Sequence, residues 1–447
     1  MTRLPHTHRR RNVAGSHRRS TSRSKPYLLI IDIGTFCDHR MMDVAVSRLR
    51  ANHRLVYITD KSHKLQGKDD VHVTYSLPQE ILANPGDITT HLTGKTISQL
   101  YYTLKHPSTI SRMLYSLYNV VNILQQVVAQ YAPVRIMAHY GNLQHILVSG
   151  VYEDIPTSIL HFAPGGGLPN KQVPFVFHNR LNDSTYDVFN TDFCDFNVKS
   201  GMAFMKQLER LVRVKRISHK PTIKGMLTKL RHIMCFSRPL VPPIQYTIPD
   251  MDISQVGILP ARLSNDPLDA SLQKWLNRHP GKVIFVSFGS YTRKITTTFT
   301  QLLHLLDETC KALDVYVLFH DDITKCAFKG TFKSRRIRFQ TSFVPYPTIV
   351  RYCELVCFTG SACLQNVCWQ LGCKMLFIPE LPEQYLWAKL YRKHTRVDFI
   401  QYQNPAEMYT FVNKVYYALH ANMNIFKTVA ASISPTVADQ IARIVCR

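Results

Sequence analysis

Five short runs rich in β-branched and aromatic residues punctuate the second half of this chain: KVIFVS (282–287), VYVLFH (315–320), IRFQTSFV (337–344), LVCFTG (355–360) and KMLFIP (374–379). Helical patterns at 297–312 and 362–371 separate successive runs, and one at 383–393 follows the last. Strands that alternate with helices pair in parallel, because each crossover helix returns the chain to the same end of the sheet. The spacing therefore predicts a parallel sheet covered by helices on both faces.

The first half opens in the same way. YLLIID (27–32) reads as a strand, Gly34-Thr35 turns the chain, a helix follows from about Asp38 to Arg50, and HRLVYIT (53–59) is the next strand. Helical patterns near 109–131 and short buried strands at 135–138 and 158–162 continue the series, while 174–235 reads as helix-rich and basic. The Pro-rich stretch PLVPPIQYTIPDMD (239–252) makes a natural boundary. The expectation is an α/β chain of two Rossmann-like, doubly wound domains facing a central cleft. Its parts are a basic tail (1–25), an N-terminal domain (26–240), a linker (241–267), a C-terminal domain (268–430) and a terminal helix (431–447).

The 447 residues carry a formal charge of +25. Eight of the 55 basic residues lie in 1–25, which holds no acid, so +17 remains on the rest. The tail is rich in Ser, Thr and His and reads as disordered. It is either solubilising, an organelle address, or an arm that contacts a polyanion. No apolar run of 18 residues occurs, so no transmembrane segment is expected. Eleven cysteines, an odd count without an apolar signal peptide, point to a reducing, intracellular and cytoplasmic setting. The gaps between Cys353, Cys357, Cys363, Cys368 and Cys373 match no zinc spacing, and Cys363 and Cys368 read as small buried hydrophobes on one helix.

Several motifs, in this order, carry a resemblance to UDP-dependent glycosyltransferases of the two-Rossmann (GT-B) type. VSFGS (286–290) follows a strand and matches the family's opening of the C-terminal domain, after a connecting segment at 245–259 and a helix at 268–277. Ser287, Gly289 and Ser290 form a tight loop whose amides suit phosphate or uracil. Phe343-Val344-Pro345-Tyr346 resembles the Trp-Val-Pro-Gln turn, so Phe343 is the aromatic that stacks uracil, with Tyr346 in place of the Gln. Thr359-Gly360-Ser361 stands where the family has His-Gly-Gly. Those residues either bind the donor diphosphate at a helix N-terminus or simply cap the helix. Val367 stands where the family carries a ribose-binding Glu. Glu383-Gln384 matches the acidic-Gln pair that grips the sugar hydroxyls.

On the acceptor side, GTFCD (34–38) resembles the Gly-Thr-x-Gly-Asp loop of antibiotic and sterol glycosyltransferases, with Cys37 in a glycine's place. Asp38 is the candidate base, with His39 as its stand-in, or else Asp38 caps the helix. His139 closes the strand on which the family places an orienting Asp. It either forms a dyad with Asp38, the two residue types exchanged, or is a satisfied core histidine. HFAPGGGLP (161–169) lacks the P-loop Lys-Ser/Thr and reads as an acceptor-side loop.

The resemblance implies an inverting transferase that moves a sugar from a UDP-sugar to a hydroxyl-bearing acceptor, with no metal and no cofactor beyond that donor. Two alternatives stand beside it. One is an inactive, glycosyltransferase-like binding or regulatory protein. The other is an enzyme that glycosylates nucleic acid.

Overall fold

The computed structural model describes residues 25–32, 36–60, 70–75, 120–164, 168, 170, 222–241, 243–263, 265–288, 297–320, 334–342, 344–379, 382–401 and 409–447. Among these residues, seven strands form a first parallel sheet and five form a second. The doubly wound two-sheet architecture expected from the apolar runs is therefore present.

The first sheet comprises β1 (Tyr27–Asp32), β2 (Arg54–Asp60), β3 (Val71–Tyr75), β4 (Arg135–His139), β5 (Thr157–His161), β6 (Arg231–Met234) and β7 (Asp252–Gln255), in the order β3-β2-β1-β4-β5-β6-β7. Its flanking helices are α1 (Phe36–Val46), α2 (residues 120–131), α3 (Leu143–Ser149) and α4 (Ile223–Thr228). Strand alternation sorts the apolar side chains between two layers. Leu28, Ile30, Leu55, Tyr57, Met137 and Leu160 face Met41, Met42 and Ala45 of α1. Leu29, Ile31, Val56, Ile58, Ile136 and Ile159 lie in the layer that contains Leu124, Ile146, Leu147 and Leu227 from α2, α3 and α4.

The second sheet comprises β8 (Val283–Ser287), β9 (Tyr316–His320), β10 (Ile337–Gln340), β11 (Cys353–Phe358) and β12 (Lys374–Phe377), in the order β10-β9-β8-β11-β12. Around it lie α5 (Ala270–Asn277), α6 (Thr297–Ala312), α7 (Tyr346–Val350), α8 (Ala362–Leu371), α9 (Pro382–Thr395), α10 (Phe411–Leu419) and α11 (Asn424–Ser432). The interiors of β8, β9, β11 and β12 are fully buried, as expected for strands sandwiched between helices.

The final helix, α12 (Thr436–Cys446), returns to the first sheet. Val437, Ile441 and Val445 bury against the layer built from Leu28, Ile30 and Tyr57. Arg48 pairs with Asp439 at 3.0 Å, and Arg135 donates to the Cys446 carbonyl at 2.8 Å. The end of the chain is thus pinned to the first sheet.

Three expectations need correction. Residues 231–234, read as part of a helical region, form β6, which is strand-paired on both sides. The polar stretch after β2 also contains β3, which was not expected. The segment 241–267, expected as a linker, contributes β7 to the first sheet. Residues 1–24 and the triple glycine at 165–167 lie outside the described residues.

Candidate active site

In an open parallel sheet, the crevice for ligands lies beyond the carboxyl ends of the strands, where the winding reverses direction. In the first sheet this reversal falls between β1 and β4, and in the second between β8 and β11. The sequence-read site residues that are described lie at these two points or on the helices beside them.

At the first point, β1 and β4 are paired up to Ile31 and Ala138. The next residues along the two strands are Asp32 and His139, 0% and 4% exposed. Asp32 was passed over in the sequence reading. Its one signal was a carboxylate that closes an otherwise apolar strand, YLLIID. Register also sets it beside Thr59, another fully buried polar residue. Asp38 and His39 fall in the first turn of α1, which begins at Phe36, and their side chains lie outside the described residues.

The geometry of His139 restricts its chemistry. Its Nδ1 accepts from the Gly141 backbone N–H at 3.1 Å, which caps the short turn at 140–142. An acceptor nitrogen in a neutral imidazole leaves the other nitrogen, Nε2, to carry the proton. In this arrangement His139 is suited to donate to a carboxylate rather than to take a proton from an acceptor. Gly141 is required by the contact, since a Cβ there would lie 2.6 Å from His139 Cε1.

At the second point, Ser287 is paired in register with Phe358, directly before Thr359. The Ser287 hydroxyl lies 3.4 Å from the Tyr346 hydroxyl, whose ring is braced edge-on by Phe285 and His320. Tyr346, which stands in place of the expected Gln, is therefore part of this end of the sheet. Thr359 is buried, Gly360 has φ +109, and Ser361 occupies the N-cap position of α8 without a side-chain cap hydrogen bond. The hydroxyl of Ser361 is thus not consumed by capping. The helix N-terminus leaves backbone N–H groups unpaired within the helix, with the positive end of the dipole pointing outward.

Gln384 is buried in the first turn of α9 and packs against Gly360, while the Glu383 side chain lies outside the described residues. Gly289, Ser290 and Phe343 also lie outside them. Val367 is a core residue, 2% exposed. Asn366 donates to the Leu259 carbonyl at 3.1 Å, which ties α8 to the connecting segment. Neither residue replaces a ribose-binding carboxylate.

The two points face one another, since α1, which follows β1, packs against α8, which follows β11. A separate cavity of about 290 Å³, lined in part by Arg351, Glu354, Cys373 and Lys374, opens at the amino ends of β11 and β12. It lies at the far end of the sheet from these residues.

Beside the site, His161 and His232 form a buried chain. His232 Nε2 lies 3.1 Å from the Leu227 carbonyl and must donate to it, so its Nδ1 accepts from His161 Nε2 at 3.2 Å. Burial pushes the His232 pKa down to about 4, partly offset by the Leu227 bond and by Asp252. His145 is likewise lowered to about 4, by burial and then by the nearby His139. No histidine spacing in the sequence signalled this chain, because it joins two separate strands.

No family model and no curated protein matches the chain. Solved structures do match over nearly its whole length. The glycotransferase of kitacinnamycin aligns at 12% identity and a TM-score of 0.59, covering 94% of this chain and 99% of its own. The glycosyltransferase SnogD from Streptomyces nogalater aligns at 14% and 0.56, covering 95% and 99%. A UDP-glucosyltransferase from Polygonum tinctorium capable of glucosylating indoxyl aligns at 12% and 0.57, covering 95% and 100%. At such identities the likeness is one of fold. The chain has the two-domain GT-B architecture of these glycosyltransferases.

Proposed function

We propose that this protein transfers a sugar from a UDP-type nucleotide sugar to a hydroxyl-bearing acceptor, with inversion and without a metal. The observation that carries the reading is the meeting of the two winding reversals across α1 and α8. It brings the buried polar pair Asp32 and His139 and the first turn of α1 toward an open helix N-terminus.

The amides and hydroxyls of Thr359, Gly360 and Ser361 hold the donor diphosphate, and Glu383 and Gln384 hold the sugar hydroxyls. Ser287, Gly289 and Ser290 line the nucleotide, and Phe343 stacks the base. Asp38, with His39 beside it, accepts the acceptor's hydroxyl proton as the oxygen attacks the anomeric carbon. The bond from that carbon to the phosphate oxygen breaks, and UDP leaves with its charge stabilised by the α8 dipole. His139, a donor in this geometry, holds the carboxylate base in place.

A screen of UDP-sugars for thermal stabilisation and hydrolysis tests the reading, with Gln384→Ala and Thr359→Ala as controls. Stabilisation by none of the sugars and no hydrolysis would reject it. A second reading, a binding protein without turnover, is favoured by the apolar Val367 and by the engagement of Asn366 elsewhere. Stabilisation by UDP with no hydrolysis or transfer would select that reading.

A further inference from the structure

We propose that Cys368 and Cys373 are a redox pair: a hydroperoxide reaching the cavity at the amino ends of β11 and β12 oxidises Cys373, and Cys368 then closes a disulfide with it.

The pairing follows from how α8 ends. Gly372 takes the left-handed conformation, with φ +70, and stops the helix. The Cys373 backbone N–H donates to the Cys368 carbonyl at 3.0 Å, and the Gly372 N–H to the Trp369 carbonyl at 3.4 Å. This is the Schellman arrangement, in which the side chains at the two ends of the turn come into contact. Both of those residues are cysteines here, and the Cys368 thiol hydrogen-bonds to that of Cys373. Thiols that touch across one turn lie within reach of an S–S bond.

The two sulfurs differ in access. Cys373 is 7% exposed and lines the cavity of about 290 Å³ together with Arg351, Glu354 and Lys374. Cations beside a thiol favour its thiolate, the form that attacks a peroxide. Cys368 is fully buried, and burial, followed by the bond to Cys373, holds its thiol well above the ordinary range. Cys368 therefore keeps its proton and is not the sulfur that reacts first. Cys353 lines the same cavity, but its thiol is engaged by the Ile349 carbonyl at 3.2 Å.

The Cys373 thiolate attacks one oxygen of the peroxide, the O–O bond breaks, and the second oxygen leaves and takes up a proton. Cys373 is then a sulfenic acid. The Cys368 sulfur attacks the Cys373 sulfur, the S–O bond breaks, and the departing hydroxyl takes the Cys368 proton and leaves as water. Two thiols are oxidised to one disulfide, and hydrogen peroxide is reduced to two waters.

Peptide mapping of the full chain tests this. The protein is treated with hydrogen peroxide, its remaining thiols are alkylated under denaturing conditions, and chymotrypsin cuts after Trp369, between the two cysteines. The expected result is loss of both alkylated fragments and appearance of a Cys368 fragment joined to a Cys373 fragment, separated again by dithiothreitol. Both cysteines alkylated, Cys373 joined to Cys353, or Cys373 oxidised to a sulfinic acid with no link, overturns the proposal. In Cys368→Ala, dimedone should capture Cys373 as its sulfenic acid, whereas in Cys373→Ala residue Cys368 should stay a thiol. Oxidation of Cys368 without Cys373 overturns the proposed order. The mapping on the unsubstituted chain decides the pairing even where a variant fails to fold.

Discussion

The Cβ that Gly360 lacks would lie 3.2 Å from the Cβ of Gln384 and equally close to the ring of Phe377. The turn that presents the α8 N-terminus and Gln384, the residue proposed to hold the sugar, are therefore packed in contact. At φ +109 the backbone of Gly360 is also one that side chains strain. Gly360→Ala is expected to cost about 2 kcal/mol or more of stability and to displace Gln384. Thermal unfolding and UDP-sugar binding should fall together. A variant with normal stability and binding would show that the contact is slack.

The contact between Gly141 and His139 makes a second prediction. A Cβ 2.6 Å from the imidazole forces the ring from its place without touching the rest of β4. Gly141→Ala and His139→Ala should reduce sugar transfer by similar factors. The double variant should be no worse than either single one, since both remove the same orientation. Additive losses would separate the two residues.

Acid should weaken the fold through His145 and His232. Both are lowered to about 4 by burial, against about 6.5 when unfolded. A depressed folded pKa means that the unfolded chain binds the extra proton first. The stability is full above about pH 6.5 and is lost as pH falls toward 4. Between pH 7 and 5 the loss is on the order of 2 kcal/mol for each histidine. Unfolding midpoints measured across that range should drop, and His232→Phe should flatten the slope.

The last helix predicts a dependence of the first domain on the far end of the chain. Ile441 is fully buried against the layer that contains Leu28 and Ile30. Ile441→Ala is expected to cost about 2–4 kcal/mol, the range for an aliphatic side chain removed from a packed core. Surface Asp439→Ala, which breaks an exposed ion pair with Arg48, should cost under about 1 kcal/mol. Equal effects in thermal unfolding would contradict the packing.

Most of the second sheet was legible from residues alone. The helical patterns at 297–312 and 362–371 coincide with α6 and α8, and the apolar runs lie over β8, β9, β11 and β12. Those strands are buried between helices, so burial wrote itself into composition. The strands that escaped reading are short or polar. β6 (RHIM) and β7 (DISQ) have four residues each, and β7 is the half-exposed edge of its sheet. Such strands form because a neighbour offers a row of backbone groups, which local pattern does not encode.

The site divides along the same line. Thr359-Gly360-Ser361 and Gln384 were readable because a loop that opens a helix after a strand is a local arrangement. The adjacency of Asp32 and His139, which follow the last paired residues of β1 and β4, joins residues over a hundred positions apart. It exists only because β4, rather than β3, lies beside β1. The same holds for the bond between Tyr346 and Ser287 and for the diversion of Asn366 to Leu259. Apolar periodicity was enough to specify two wound sheets, because each strand and helix had to bury its own surface. Which polar groups meet at the cleft was settled by strand order and domain packing, since those contacts have no signature in any single stretch of chain.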